Sequence, residues 1–358
     1  MWLHVGASRA EVNDMKDAQR LTPFSFVVIT TALFWASSAT AVEALFDSSS
    51  VLELSIHAPF SRLDRSSEGH GSVEGRIELQ DGVSIPVTLS RYGLSRLQMC
   101  TTPPLKVDIG DEDSRGTPFE GIRSVRLVPP CLTEASFDRY ILLEYLVYRS
   151  WAIIGEPAVG VRLVSCRFQD SEKPAHYSIG LSFLMEDIGE AAARHGRTWL
   201  DIETQSVPDL KPEQCAVFAL FQFMVGNTDW SAVASAAGER CCHNVAVFGA
   251  EDDPHNLLLP FDFDQSGLVN APYAAPNRQL PIRFVTQRIY RGFCLHNAEV
   301  PAAVAVFNAK RPELEDLFND EGLPDKKARK RAWKYIESFY DTINNPRKLE
   351  KKIFCACR

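Results

Sequence analysis

The chain has 358 residues, 45% of them hydrophobic, and its 38 Lys and Arg against 46 Asp and Glu leave a formal net charge of −8. This composition is sufficient for one large core or two smaller ones, and without a low-complexity tract it argues against a disordered chain. The acidic balance argues against a broad electrostatic surface for nucleic acid, although a local basic patch is compatible with it.

The N-terminal region has the pattern of an export signal. Lys16 and Arg20 precede an apolar run, Phe24–Trp35, and the small residues that follow end in ATA at positions 39–41. This order predicts a signal peptide over residues 1–41 and an exported protein, periplasmic or secreted, that begins near Val42; Met15 is an alternative start. A membrane anchor is the alternative, but the run is shorter than the ~20 residues that a span needs. No stable membrane span is expected after signal removal.

Nine cysteines, an odd number, agree with an oxidising compartment in which most exposed thiols would be paired. The pairings that we would test first are Cys100 with Cys131, and Cys294 with Cys355 or Cys357. Cys166 and Cys215 lie within apolar patterns, so we expect these two to be buried free thiols.

The first half of the chain predicts strands. Its apolar, β-branched segments are separated by turn signals such as Asp81-Gly82. The predicted strands are Val51–His57, Ser72–Leu79, Ser84–Ser90, Leu105–Ile109, Ser124–Val128, Val159–Phe168 and Tyr177–Met185. One segment, Asp138–Ile153, repeats its apolar residues at helical spacing. We therefore expect an antiparallel sheet with one inserted helix, a small β-rich lobe over residues 50–185.

The second half predicts mainly helices. Pro212–Val225 is strongly apolar, with Pro in the first turn and Gly226 beyond its end, which is typical of a buried helix. Two short apolar strands follow, Asn244–Phe248 and Leu257–Phe261. The charged tail is helical, and its KKARKR run indicates a solvated helix face, with a nucleic-acid or membrane contact as the alternative. Residues 186–358 are expected to form a larger helical lobe.

Three polar residues lie at the ends of apolar segments. Asp229 follows the buried helix, Asn244 begins the first short strand, and Asp262 directly follows the second short strand. A hairpin between the two strands could bring these residues together. Phosphoryl transfer from a nucleotide requires hard oxygen ligands for a divalent metal and a carboxylate near the acceptor hydroxyl. Crowded carboxylates repel one another without a cation, so the cluster predicts a metal. The alternative is a set of turn caps and surface acids.

Two other kinds of site are less consistent with the sequence. Cys241, Cys242 and His243, with His255, offer soft ligands for zinc, but adjacent cysteines depart from the C-x₂₋₄-C spacing of structural zinc sites. The sequence contains no G-x-S-x-G elbow, which argues against nucleophilic hydrolysis.

The motif order G-N-x-D, then H-N before a strand, then P-F-D-F-D-x-S-G resembles the catalytic half of the protein-kinase-like superfamily, in the branch of the HipA toxins and CotH spore-coat kinases. The segments SRYGLSRLQMCTTPPLKVDI, SVRLVPPC, YILLEYLVYRSW and TQRIYRGFC resemble a group of exported bacterial proteins in that branch. The resemblance covers most of residues 50–295. It implies a two-lobed α+β fold, a nucleotide between the lobes, and ATP with Mg²⁺ or Mn²⁺ as cofactors.

The resemblance also implies roles for individual residues. Asp229 matches the catalytic-loop Asp that orients or deprotonates the acceptor hydroxyl. Asn244 and Asp262 match the metal ligands, with Asp264 as the second choice for the role of Asp262. The stretch SAVASAAGERCC lengthens the usual spacing between the catalytic Asp and the metal Asn, so it must loop out for the site to close.

In the small lobe, the family needs a strand cation paired with an acid on the helix. Glu144 is the expected acid, and its partner is either Lys106 or Arg126. An arginine in this role would differ from the lysine that the resemblance implies, because a planar guanidinium is not equivalent to an ammonium group. The alternative for Glu144 and Arg126 is an ordinary ion pair.

A glycine-rich phosphate loop is not recognisable. The nearest candidate is Ser90–Arg96 (SRYGLSR), where Arg91 and Arg96 would bind phosphate. The alternative is that both are exposed surface arginines.

The function predicted from these features is an exported, ATP- and metal-dependent, kinase-like phosphotransferase that acts on a protein or small-molecule hydroxyl. A catalytically inactive module of the same kind, binding a ligand or partner protein at the cell envelope, is one alternative. An AMP transferase is the other. Nucleic acid is not an expected partner.

Overall fold

The computed structural model describes residues 45–63, 71–93, 96, 99–110, 113–173, 177–235 and 240–358. The predicted signal peptide lies outside these residues. Within the described ranges, no helix combines the length and apolar character that crossing a bilayer requires.

In the described part of the chain, seven strands close into a barrel in the order β1-β2-β3-β4-β5-β7-β6. These strands are β1 (Leu52–Ala58), β2 (Ser72–Leu79), β3 (Ser84–Arg91), β4 (Leu105–Ile109), β5 (Ser124–Val128), β6 (Val161–Asp170) and β7 (Tyr177–Glu186). Neighbouring strands are antiparallel except β1 and β6, which run parallel with Leu52 opposite Val164. Alternate apolar side chains, among them Ile56, Val107 and Val125, fill the barrel.

The predicted fold class is therefore wrong. We expected a two-lobed protein-kinase-like fold with a small antiparallel β-rich lobe, one helix in it, and a larger helical lobe. The structure instead has a closed, mixed barrel with a small three-stranded sheet and helices. The parallel pairing of β1 with β6 closes the sheet. Period-two alternation identifies strands and their buried faces, but it does not identify which distant strand pairs with which.

The rest of the structure is a small sheet, in the order β10-β9-β8, packed with helices. Its strands are β8 (Thr198–Trp199), β9 (Val245–Ala250) and β10 (Asp253–Pro260). The helices are α1 (Asp138–Ile154), α2 (Ile188–Arg194), α3 (Pro212–Val225), α4 (Val300–Asn319), α5 (Lys326–Ile343) and α6 (Pro346–Lys352). A second apolar core joins α1, α3 and the β9–β10 hairpin to the outer face of the barrel.

Helix α3 ends where its sequence predicts. Gly226 takes a left-handed conformation (φ 65°) as the C-cap, which costs glycine less than other residues. A Cβ at Gly226 would lie 2.1 Å from the Tyr335 hydroxyl of α5, and a Cβ at Gly267 would lie 2.6 Å from the same oxygen. The backbone at Gly226 and the backbone at Gly267 therefore both pack closely against the Tyr335 side chain.

Disulfides join Cys100 to Cys131 and Cys294 to Cys357, both pairs that the sequence analysis put forward. Cys166 and Cys215 are buried free thiols, as expected, and Cys355 is an exposed free thiol. Cys241 and Cys242 are bridged to each other, a pairing that the sequence analysis did not consider.

Candidate functional site

The candidate site lies at the end of the hairpin formed by β9 and β10. Pro260 pairs with Val245, and the Phe261 N–H donates a hydrogen bond to the Asn244 carbonyl oxygen at 3.2 Å. Asn244 and Asp262 have positive φ angles of 54° and 58°. Asn and Asp adopt this conformation more readily than most residues with a side chain. The hairpin therefore holds Asn244 next to the residue that precedes Asp262.

Asp229 is joined to this hairpin end by side-chain contacts. The Asn244 amide nitrogen donates to the Asp229 carbonyl oxygen at 2.8 Å and to its Oδ2 at 3.1 Å. His243 Nε2 lies 3.0 Å from Asp229 Oδ1, and the Asp229 N–H donates to Asn227 Oδ1 at 2.9 Å. The lengthened segment between Asp229 and Asn244, of which residues 236–239 lie outside the described part, does not separate them.

Asp262 lies in a strongly acidic environment. Its backbone N–H donates to the Tyr148 hydroxyl at 2.8 Å. Burial and the neighbouring Asp264 carboxylate raise the pKa of Asp262 well above its usual range; Glu144 and Asp229 add to this rise, whereas Arg96 opposes it. Burial is thus the main cause of this shift, and the neighbouring carboxylates add to it.

Arg96 connects two buried carboxylates. Its Nη2 donates to Glu144 Oε2 at 2.6 Å, and its Nε donates to Asp264 Oδ2 at 2.9 Å. Burial raises the pKa of Glu144, an effect that Arg96 opposes. The expected partner of Glu144 was Lys106 or Arg126, and the structure pairs it with Arg96 instead. Arg96 is itself buried, so it is not an exposed surface arginine.

Lys106 and Arg126 are direct neighbours across β4 and β5, but their surroundings differ. The Lys106 side chain is 44% exposed, and its Nζ lies 2.7 Å from Asp108 Oδ1. Arg126 is only 4% exposed. Its guanidinium lies over the Tyr92 ring at 4.2 Å, with Nη2 3.5 Å from Asp187 Oδ2.

The Arg126 Nη1 atom is buried and has no hydrogen-bond partner among the described residues. Burial raises the pKa of Tyr92; the Arg126 charge lowers that pKa and the Asp262 charge raises it, which places both groups near this ring. Arg126 and Asp262 therefore both act on the charge equilibrium of the Tyr92 hydroxyl. Arg91, the other predicted phosphate ligand, is the buried last residue of β3.

Sequence reasoning missed Arg291 as a site residue. Its Nη1 donates to the carbonyl oxygens of Thr228 at 2.9 Å and Trp230 at 2.5 Å, on either side of Asp229. Burial and the Arg358 charge lower the pKa of Arg291 to about 10, with Asp229 opposing the shift. The segment TQRIYRGFC was noted only for its resemblance, and nothing in its pattern indicates these contacts.

Two further contacts were also missed. His243 is named in the sequence analysis as a zinc ligand and within the H-N motif, but its position next to Asn244 could also have indicated the contact with Asp229. Tyr148 lies in the segment Asp138–Ile153, whose apolar spacing predicts a helix, and this pattern gives no sign that its hydroxyl accepts a hydrogen bond from the Asp262 backbone N–H.

The structure gives no support to the zinc alternative. Cys241 and Cys242 are bridged to each other, and His255 Nδ1 lies 3.7 Å from Asp253 Oδ1. Across the described ranges, no group of three or more His, Cys, Asp or Glu side chains could hold a metal ion. A site that uses one or two carboxylates, an amide oxygen and substrate phosphates is of a different kind, and Mg²⁺ commonly binds in that way.

Comparison of the sequence with family models and with curated proteins gives no match.

Proposed function

We propose that this exported protein transfers a phosphoryl group from ATP, bound with Mg²⁺ or Mn²⁺, to a hydroxyl group of a protein or small molecule. The observation that supports this function most directly is the contact of Asn244 with Asp229 at a hairpin end that also presents Asp262. A carboxylate for the acceptor and oxygen ligands for a divalent cation are the groups that phosphoryl transfer requires.

Asp229 is the residue that would receive the acceptor hydroxyl. Its side chain is 38% exposed, so a substrate can reach it, while His243 and Asn244 restrain its two oxygens. A carboxylate fixed in this way can accept a hydrogen bond from a hydroxyl group and orient its oxygen for attack. Arg291, bonded to the two neighbouring carbonyl groups, positions the Asp229 backbone.

Asn244 and Asp262 are the residues that would hold the cation. The Asn244 amide nitrogen is committed to Asp229, which leaves its Oδ1 as the atom able to coordinate. Burial first, and the neighbouring carboxylates second, raise the pKa of Asp262, and a cation would offset both by stabilising the carboxylate. The bound ion would neutralise charge on the nucleotide phosphates. Asp264 is a weaker candidate for a ligand, because it is paired with Arg96.

Arg126 is the residue that would contact a phosphate oxygen. Its Nη1 is a charged donor without a partner in the described part of the chain, and guanidinium groups bind phosphate through such donors. Tyr92 and Asp187 hold the rest of the side chain in place. Lys106, paired with Asp108 at the surface, is not placed for this role.

The experiment is a labelling and thermal-shift assay with the purified protein, ATP and Mg²⁺ or Mn²⁺. Phosphoryl transfer incorporates label from the γ-phosphate of ATP and is lost in Asp229→Asn and Asp262→Asn. Asp252→Asn is the matched control, because Asp252 is exposed in the turn at the far end of the same hairpin. Incorporation from the α-phosphate alone would replace this proposal with AMP transfer. A thermal shift without any incorporation would replace it with a binding module.

A further inference from the structure

Helix α5 presents a row of positively charged side chains, which we call the basic stripe: Lys326, Lys327, Lys330, Arg331 and Lys334. All five are exposed, and their spacing places them along one side of the helix. The other side, with Ala328, Ala332 and Trp333, is buried in the core. Among the described residues, only Lys326 has a carboxylate partner, Glu321 at 2.5 Å. The stripe is a local excess of positive charge on a chain with a net charge of −8.

A groove of about 320 Å³ lies beside the basic stripe, between α1 and α5. Its lining includes Tyr140, Leu143, Leu268 and Val269, together with Arg139 and Arg331. Arg331 belongs to both the groove and the stripe. The two features therefore form one continuous surface with an apolar depression and a cationic border.

The surface formed by the groove and the basic stripe is connected to the candidate site through backbone hydrogen bonds. The N–H groups of Gly267 and Leu268 donate to the carbonyl oxygens of Gly226 at 3.0 Å and Val225 at 2.9 Å, so the groove wall is bonded to the backbone that leads to Asp229. The groove is nevertheless lined by none of the proposed catalytic or cation-binding residues.

We propose that the groove and the basic stripe bind an acidic segment of a partner protein, with one apolar side chain of that segment in the groove. Charge complementarity supports an acidic partner, since Lys327, Lys330, Arg331 and Lys334 form no ion pair with a described carboxylate, and the Glu321 charge acts only on the Lys326 end of the stripe, including Lys330. An extended peptide can place an apolar side chain in a depression and carboxylates on its border.

Two other polyanions fit this surface less well. The apolar side of α5 is buried in the core, so the helix has no apolar face to enter a bilayer, and a flat membrane surface cannot fill a groove. A long nucleic acid would have to approach a chain whose net charge is −8. A short acidic segment would contact only the groove and the basic stripe and would therefore avoid repulsion from the rest of the acidic chain.

The test is fluorescence anisotropy of the purified protein with a fluorescein-labelled peptide in which Glu and Asp residues flank one central Leu. The triple variant Lys327→Glu, Lys330→Glu, Lys334→Glu should weaken binding by at least about tenfold at low salt. The matched control is Lys348→Glu, Lys351→Glu, Lys352→Glu, which makes the same charge change at exposed positions of α6. Equal losses in the two triple variants would overturn the proposal.

Two further measurements test the groove and the class of partner. Replacing the central Leu of the peptide by Ser, or introducing Thr286→Trp at the exposed lining residue Thr286, should weaken binding without changing its salt dependence. No effect of either change would overturn the apolar contact. Tighter binding of phosphatidylserine vesicles or of a single-stranded oligonucleotide than of the peptide, lost in the same triple variant, would overturn the choice of a protein partner.

Discussion

The backbone N–H of Phe261 donates a hydrogen bond to the carbonyl oxygen of Asn244 at 3.2 Å. This contact extends the pairing of β9 and β10 by one residue and places Asp262 immediately beyond it. Asn244 also contacts the Asp229 carboxylate. One strand pairing and one side-chain contact thus bring together residues from three separate segments.

Replacing Asp229 by Asn should abolish acceptor labelling while leaving the nucleotide-induced thermal shift in place. The amide has nearly the same shape but has only one acceptor oxygen and no negative charge to orient a hydroxyl, and Asp229 is not among the proposed ligands of the cation or nucleotide. Labelling and thermal shift are measured on the same preparation. Loss of the thermal shift with retained labelling would contradict these roles.

Replacing Asp262 by Asn should stabilise the protein in metal-free buffer and remove its response to ATP with Mg²⁺. The neutral amide avoids the cost of burying a carboxylate and relieves its repulsion with Asp264 and Glu144, which together are worth on the order of 1 kcal/mol in the free energy of unfolding. Urea unfolding measures the first effect and the nucleotide-induced thermal shift the second. Asp252→Asn serves as the control, and destabilisation by Asp262→Asn would argue against acidic crowding.

Replacing Arg96 by Met should be strongly destabilising. The change leaves the buried carboxylates of Glu144 and Asp264 without their cation, and removal of one partner from a buried ion pair typically costs about 3–5 kcal/mol. Adding Glu144→Gln and Asp264→Asn should recover part of this loss. Lys310→Met, which breaks the exposed pair with Glu313, is the control and should have little effect. Equal urea midpoints for the two single variants would show that Arg96 has no such role.

His296 should make the protein less stable as the pH falls from 7 to 5. The side chain is 3% exposed, and burial lowers its pKa below the usual 6.5, with Glu299 and Glu213 opposing the shift. The unfolded chain then binds more protons than the folded protein, so this stability is present above pH 6.5 and is lost as the pH falls through the folded pKa.

As the pH falls from 7 to 5, the free energy of unfolding should decrease less in His296→Leu than in the wild type. The difference should be about 1.4 kcal/mol for each unit by which the folded pKa of His296 lies below its unfolded pKa. The variant His255→Gln changes a histidine whose side chain is 44% exposed and is the matched control. An unchanged slope in His296→Leu between pH 5 and 7 would show that His296 does not contribute.

Removing the disulfide between Cys294 and Cys357 should lower the free energy of unfolding by about 2–4 kcal/mol, since it closes a long loop in the unfolded chain. The bridge spans 63 residues. The double variant Cys294→Ala, Cys357→Ala is compared in urea with Cys355→Ala, which removes an exposed free thiol from the same terminus. Indistinguishable midpoints for the two would contradict a stabilising bridge.

Local features of the fold were predictable because they depend on neighbouring residues. The predicted segments Ser72–Leu79, Leu105–Ile109 and Pro212–Val225 coincide with β2, β4 and α3, whose alternation or end signals are strong. Closure of the barrel was not predictable, because the pairing of β1 with β6 depends on two strands far apart in the chain.

The same distinction applies to the site. The proximity of Asn244 and Asp262 follows from a hairpin between two short strands, so sequence reasoning could anticipate it. The pairing of Glu144 with Arg96 could not be anticipated, because a buried arginine is recognisable only when its surroundings are known. Arg291 contacts Thr228 and Trp230 through backbone carbonyl groups, which every residue type carries and no motif marks.

The Tyr335 hydroxyl packs over both Gly226 and Gly267, and this has a consequence for fragments of the protein. Tyr335 belongs to α5, near the end of the chain, whereas the glycines flank Asp229 and Asp264. A fragment that ends before residue 326 would keep every proposed catalytic and cation-binding residue but lose the surface against which their loops are shaped. C-terminal truncation should therefore impair the nucleotide site without removing any of its side chains.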